Sequence, residues 1–301
     1  MRPRRALAML CALAAAACES SPGTVSPPAT TAKDASVAQP REVDETVVPK
    51  RRSAEPNPLG LPAANVTFTE GQFVYAVPEA MLTTAKVGVS LELRAAKVES
   101  MDGHDVIVHA ASGPAYNIHA GYVVAPRMKP VQRGTRVMVP YRAQLRHATV
   151  QRQVKNQIVV RYGDVGVALG DQAIAIDEVG VLGGGLEPGA YALARHEHGQ
   201  HLVLLVSLGT HADGARRWLV LGPEGEARIL DANELTPLGD ARKLKPGSSV
   251  LVAWHGDMVP ATLRTIEPSG LVSVKRPRVG PTLIVGIDMI APAPATTPPT
   301  P

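Results

Sequence analysis

Residues 134–141 read Gly134-Thr-Arg-Val-Met-Val-Pro-Tyr141, and residues 247–254 read Gly247-Ser-Ser-Val-Leu-Val-Ala-Trp254. Each is a turn-forming glycine followed by alternating apolar residues, the period of a strand with one buried face. Two more stretches open the same way: Gly88-Val-Ser-Leu-Glu-Leu93 and Gly189-Ala-Tyr-Ala-Leu-Ala194. Leu-x-Pro-Gly leads into two of them, at Leu186–Gly189 and Leu244–Gly247. The four glycines lie 46, 55 and 58 residues apart, so the chain from about residue 84 to 292 reads as four copies of one unit.

Copies two and four match further at a constant offset of 113. Tyr141 falls on Trp254, Ala148-Thr149-Val150 on Ala261-Thr262-Leu263, and Ile158 on Leu271. The last three copies close on apolar residues and an acid: Asp177, Asp231 with Glu234, and Asp288. Copy one closes on Tyr122-Val-Val without the acid. Each copy predicts four or five short strands, and no stretch of helical period and useful length intervenes. The expected fold class is therefore all-β. With 45% hydrophobic but only 3% aromatic residues, the cores must be built from Val, Leu, Ile and Ala. So small a sheet protects its edges best by curling closed.

The succession of glycine, alternating apolar strand, aromatic, small residue with Thr-Val, second strand and closing acid resembles the Tudor/agenet branch of SH3-like barrels. The resemblance implies four tandem small barrels, at 65–127, 128–182, 183–238 and 239–292, acting as non-enzymatic binding modules. Asn65–Val77 also alternates, holds Phe68 and Phe73, and is expected to add a strand to copy one. Tudor readers surround a methylated cation with aromatic rings. The resemblance therefore implies ligand contacts at Tyr141, Tyr162 and Trp254. Lys275 aligns with Tyr162 at the same offset and would repel a cation from copy four.

Before the repeats, Arg2, Arg4 and Arg5 precede an apolar run from Ala6 to Ala17. Such a run spans about 18 Å as a helix, short of a ~30 Å hydrocarbon core, so residues 1–17 read as a signal peptide. Ala15-Ala16-Ala17-Cys18 resembles a bacterial lipobox, with Ala15 where leucine is usual. That resemblance implies lipid attachment at Cys18, and Glu19 resembles an outer-membrane address. Plain secretion, and a retained anchor or a cytosolic chain, are the alternatives. Cys11 lies in the leader and no cysteine follows Cys18, so the fold is expected to rely on packing without disulfides. Residues 18–64, rich in Ser, Thr, Pro and Ala, read as a disordered tether, and 293–301 as a proline-rich tail. The expected location is the bacterial cell envelope, as an outer-membrane lipoprotein facing the periplasm, with the membrane a partner through the lipid anchor.

Without the three leader arginines the chain carries 28 basic and 27 acidic residues, which supplies no broad field for nucleic acid. The densest polar cluster is His196-Glu-His-Gly-Gln-His201. On a hairpin, His196 and His198 share a face and His201 approaches on the return strand, a set suited to Zn²⁺, Cu²⁺ or Ni²⁺. The recurring acids lie in separate copies. Gly183-Gly-Gly185 lacks the spacing of a phosphate loop. No catalytic residue and no cofactor is expected. The function expected is a tandem module for binding an envelope protein or peptidoglycan. The alternatives are a metal-binding or metal-dependent hydrolytic protein at 196–201, and a structural spacer.

Overall fold

A computed structural model describes residues 55–63, 66–111, 113–163, 170–196, 199–277 and 280–293, the His196 side chain excepted. The expected leader, Cys18, most of the tether and the tail from 294 lie outside the described residues. Within them the fold is all-β, and one strand arrangement recurs four times. Module 1 comprises β1 (Phe73–Ala76), the short helix α1 (Glu79–Leu82), β2 (Arg94–Asp102), β3 (Asp105–Ala110), β4 (Tyr116–His119) and β5 (Val123–Val124). Module 2 comprises β6 (Arg136–Tyr141), β7 (Gln144–Val154), β8 (Gln157–Tyr162), β9 (Asp171–Ala175) and β10 (Gly180–Val181). Module 3 runs through β11 (Tyr191–His196), β12 (Gly199–Thr210), β13 (Arg216–Leu221), β14 (Ala227–Asp231) and β15 (Leu235–Pro237). Module 4 runs through β16 (Ser249–Trp254), β17 (Asp257–Ile266), β18 (Leu271–Lys275), β19 (Leu283–Gly286) and β20 (Ile290–Pro292).

In every module the first strand lies between the second and the fifth, and the second, third and fourth form an antiparallel meander. A single 3₁₀ turn delivers the chain to the fifth strand. The fifth strand is only two or three residues long and pairs with the first alone. The ladders therefore stay open: the hydrogen-bonded sheet does not close into the barrel expected from the sequence.

The repeat has a backbone basis. A glycine amide donates to the second strand at 2.8 Å in all four modules: Gly71 to Val98, Gly134 to Val150, Gly189 to Leu205 and Gly247 to Leu263. The amide of each acceptor residue returns a bond at 2.9 Å to the carbonyl just after the glycine. All four glycines have φ between +76° and +91°, where a side chain is strained. Immediately beyond each clasp the second strand bulges, an irregularity that sharpens its bend.

This places the opening of copy one at Gly71, correcting the expectation at Gly88. Residues 77–93 are instead a long connection between β1 and β2, carrying α1. The alternation of Gly88–Leu93 serves another purpose: it pairs with Gly225–Ala227, where the turn of module 3 enters β14. Gly88 and Leu91 amides donate to Ala227 and Gly225 carbonyls, and the Ala227 amide donates to Val89, each at 2.8 Å. Part of the stretch read as tether is also packed. Asn57 brackets Leu61 through both side-chain atoms at 2.8 Å, and the Leu59 amide donates to Tyr122 Oη at 2.8 Å.

Modules 1 and 2 share one ten-stranded sheet, joined where Arg94 on β2 faces Gln144 on β7. Modules 3 and 4 share a second, joined in the same way by His201 on β12 and Asp257 on β17. The two sheets then meet crosswise. Module 3 places Val206, Leu219, Leu221 and Ala227 in the core of module 1. Module 4 meets module 2 through a buried ion pair, Arg136 Nη1 to Asp288 Oδ1 at 2.9 Å, with each side chain 9% exposed. There the backbones touch at Gly163 and Gly286, whose amide donates to the Gly163 carbonyl at 3.1 Å. A methyl on Gly286 would stand 2.4 Å from Gly163 Cα.

Candidate functional site

Where the four modules meet, a cleft of about 460 Å³ opens. Module 1 supplies the connection Ser90–Leu93, module 2 the start of β7, and module 3 Tyr191, Leu204 and the turn 222–225. Module 4 supplies Ala253, His255 and Met289. The two-residue turn of module 4 lines this space with His255 and Gly256, and β7 enters it just past the equivalent turn of module 2. The two turns run from Tyr141 to Gln144 and from Trp254 to Asp257, with φ positive at both central residues. The walls combine aliphatic and polar surface in about equal measure. One rim is a relay of polar side chains. Arg94 Nε donates to Glu92 Oε1, Gln144 Nε2 donates to Glu92 Oε2 at 2.5 Å, and Arg146 Nη2 donates to Gln144 Oε1 at 2.8 Å. On the other rim the Ser90 hydroxyl donates to the Glu224 carbonyl at 2.6 Å. The size and the placement at a junction of modules suit a small ligand or a protruding group of a larger one. Chemically, the arrangement offers aliphatic contact flanked by fixed donors and acceptors.

The expected ring contacts form two equivalent pairs. Tyr141 and Tyr162 meet edge to face at 5.2 Å. Tyr162 is buried, and its hydroxyl donates to the Pro140 carbonyl at 2.6 Å, so it is a core ring. In module 4 the pairing of β17 with β18 is shifted by one residue. Thr149 faces Arg161 in module 2, whereas Thr262 faces Lys275. The counterpart of Tyr162 is thus Arg276, not Lys275. Arg276 stacks on Trp254, with Cζ 3.9 Å from the ring centroid, and His255 meets the same ring at 4.7 Å. Trp254 remains 36% exposed. Both first-strand rings are therefore held by neighbours of their own module, which leaves no open aromatic enclosure around either.

Of the histidines, His201 joins modules 3 and 4: its Nε2 lies 2.9 Å from Asp257 Oδ1. The backbone of His196 pairs with Gly199. The His196 side chain and His198 lie outside the described residues, among which no group of three potential metal ligands gathers. The recurring acids sit at the 3₁₀ turns. Asp231 and Glu234 form a reciprocal capping box, Asp177 lies in the turn of module 2, and Asp288 is buried against Arg136.

Several buried groups of module 1 have displaced titrations. Burial pushes the Tyr116 and Tyr122 hydroxyls up to about 12 and Tyr75 well above the usual tyrosine range. Burial, helped by nearby His104, lowers the pKa of His119, whose Nδ1 accepts the Gly121 amide at 3.1 Å. These groups hold structure rather than line the cleft. The cleft itself had no local signal, because its residues are drawn from four copies. No family model matches the chain, and no curated protein is similar to it in sequence.

Proposed function

We propose that the chain is a non-enzymatic envelope lipoprotein, anchored through Cys18. Its four SH3/Tudor-like modules act as one binding unit rather than as four independent readers. One observation carries this reading: one cleft is lined by all four modules, while the rings at the hairpin tips of modules 2 and 4 are already engaged. The partner we infer is peptidoglycan or an envelope protein, presenting a short polar group flanked by aliphatic surface. Tight crosswise packing also argues against a spacer, since folding the modules together shortens the chain's reach.

The test is co-sedimentation of the full chain, carrying Cys18→Ser, with purified peptidoglycan sacculi. Ala253→Phe, which fills the cleft, and Glu224→Arg, which reverses a rim charge, are each expected to abolish pelleting at an unchanged unfolding midpoint. Wild-type pelleting that survives both substitutions would remove the cleft as the contact. Failure of the wild type to pellet would remove peptidoglycan as the partner.

A further inference from the structure

The crossing of modules 2 and 4 carries a separate cavity of about 640 Å³, lined by Arg133, Gln151, Arg152, Arg161, Glu267 and Ser269, among others. A second cavity of about 530 Å³ adjoins it, shares Arg133 and Glu267, and adds Arg242. Three guanidinium groups around one cavity are a local concentration, because the chain beyond its leader is almost neutral. The fold gathers them. Arg133 sits in the turn before the clasp glycine of module 2. Arg152 follows the bulge in β7, and Arg161 lies on β8. The bulged residue, Gln151, ties the two modules together over the cavity: its Nε2 donates to the Thr149 carbonyl at 3.0 Å and the Ser269 carbonyl at 2.8 Å.

Of the two acids at this cavity only Asp171 is paired with a cation; Glu267 bonds a neutral hydroxyl and keeps its charge, so three guanidinium groups face two carboxylates. Asp171 accepts from Arg161 at 2.8 and 2.9 Å, and Glu267 accepts the Ser269 hydroxyl at 2.8 Å. Among the described residues neither Arg133 nor Arg152 has an ion-pair partner, and both are exposed. Guanidinium forks match the oxygens of phosphate in spacing and charge. We propose that this cavity is an anion site for a phosphate group, a mono- or diester, held chiefly by Arg133 and Arg152. The group could be supplied by a phospholipid headgroup or by a soluble phosphate compound. This site is distinct from the central cleft and does not depend on the ligand proposed there.

The experiment uses the full chain with Cys18→Ser, so that no acyl group contributes to membrane binding. Calorimetric titration with inorganic phosphate at low salt is expected to give saturable binding that sodium chloride at equal ionic strength does not mimic. Arg133→Gln/Arg152→Gln is expected to weaken it roughly tenfold or more, a loss of about 1.4 kcal/mol or more, with the unfolding midpoint unchanged. Arg133→Lys/Arg152→Lys keeps the charge but loses the fork, and should fall between. A parallel arm measures co-sedimentation with phosphatidylcholine vesicles with and without phosphatidylglycerol. Phosphatidylglycerol-dependent pelleting that the Gln variant loses identifies a headgroup. Phosphate binding without pelleting identifies a soluble compound. No phosphate binding by the wild type, or equal binding by the Gln variant, overturns the site.

Discussion

Module 1 meets module 3 chiefly through apolar side chains, whereas module 2 meets module 4 through an ion pair, polar side chains and bare backbone. The two contacts join the same kinds of module, yet they use different physics. In the first, Val206, Leu219, Leu221 and Ala227 enter a foreign core, and residues 88–91 pair with residues 225–227 at the start of β14. In the second, Arg136 and Asp288 meet in a dry setting, and Gly163 and Gly286 bring two main chains together. A buried ion pair costs much of what it gains, because both charges are stripped of water. Apolar burial gains steadily with area. The contrast therefore suggests a division of labour: the 1–3 contact supplies stability and the 2–4 contact supplies alignment.

The sharpest way to break that contrast is Asp288→Ala, which strands Arg136 as an uncompensated buried cation. A loss of about 3–5 kcal/mol is expected in denaturant unfolding. Arg136→Met/Asp288→Leu should return to within about 1 kcal/mol of wild type, because matched apolar groups replace the pair without its desolvation cost. A double variant as weak as the single one would make the pair a source of stability and erase the distinction. Next, Leu219→Ala should cost about 2–5 kcal/mol by opening a cavity in the shared 1–3 core. A loss below 1 kcal/mol would mean that module 1 keeps its core without module 3.

The smallest effect concerns pH. Burial lowers the pKa of His119, so the unfolded chain binds its proton first. Its contribution to stability is complete above the ordinary histidine value and declines as the pH falls toward the lowered one. Protonation also removes Nδ1 as acceptor for the Gly121 amide. His119→Asn keeps a capping acceptor without a titrating ring, so its unfolding midpoint should fall less than wild type between pH 7 and 5, by thermal melting. Parallel curves would show that the 3₁₀ turn of module 1 does not sense protons.

The all-β class was legible because strand period survives without knowledge of neighbours. The opening glycines of modules 2, 3 and 4 were legible too, since each begins a short hairpin. Gly71 was not. Its partner Val98 lies beyond the inserted connection 77–93, and Gly88–Leu93 alternates equally well because it too is extended against a strand. The constant offset of 113 paired Tyr141 with Trp254 correctly, both standing where a two-residue turn begins. It failed at Tyr162 because module 4 turns through Pro268–Gly270 where module 2 uses Lys155-Asn156. That lengthened hairpin moves Arg276 to the ring. The central cleft and the arginine cavity were invisible for a different reason. Each exists only between modules, and the spacing of copies along a chain says nothing about which copies touch.

The 1–3 core carries a consequence for how the molecule comes into being. A polypeptide is made from its N-terminus, so module 1 leaves the ribosome long before residues 206–227 exist. Until they arrive, its interior lies open along the side that module 3 will cover. Finishing the first module must therefore wait for the third, and until then the nascent chain carries apolar surface that is open to association.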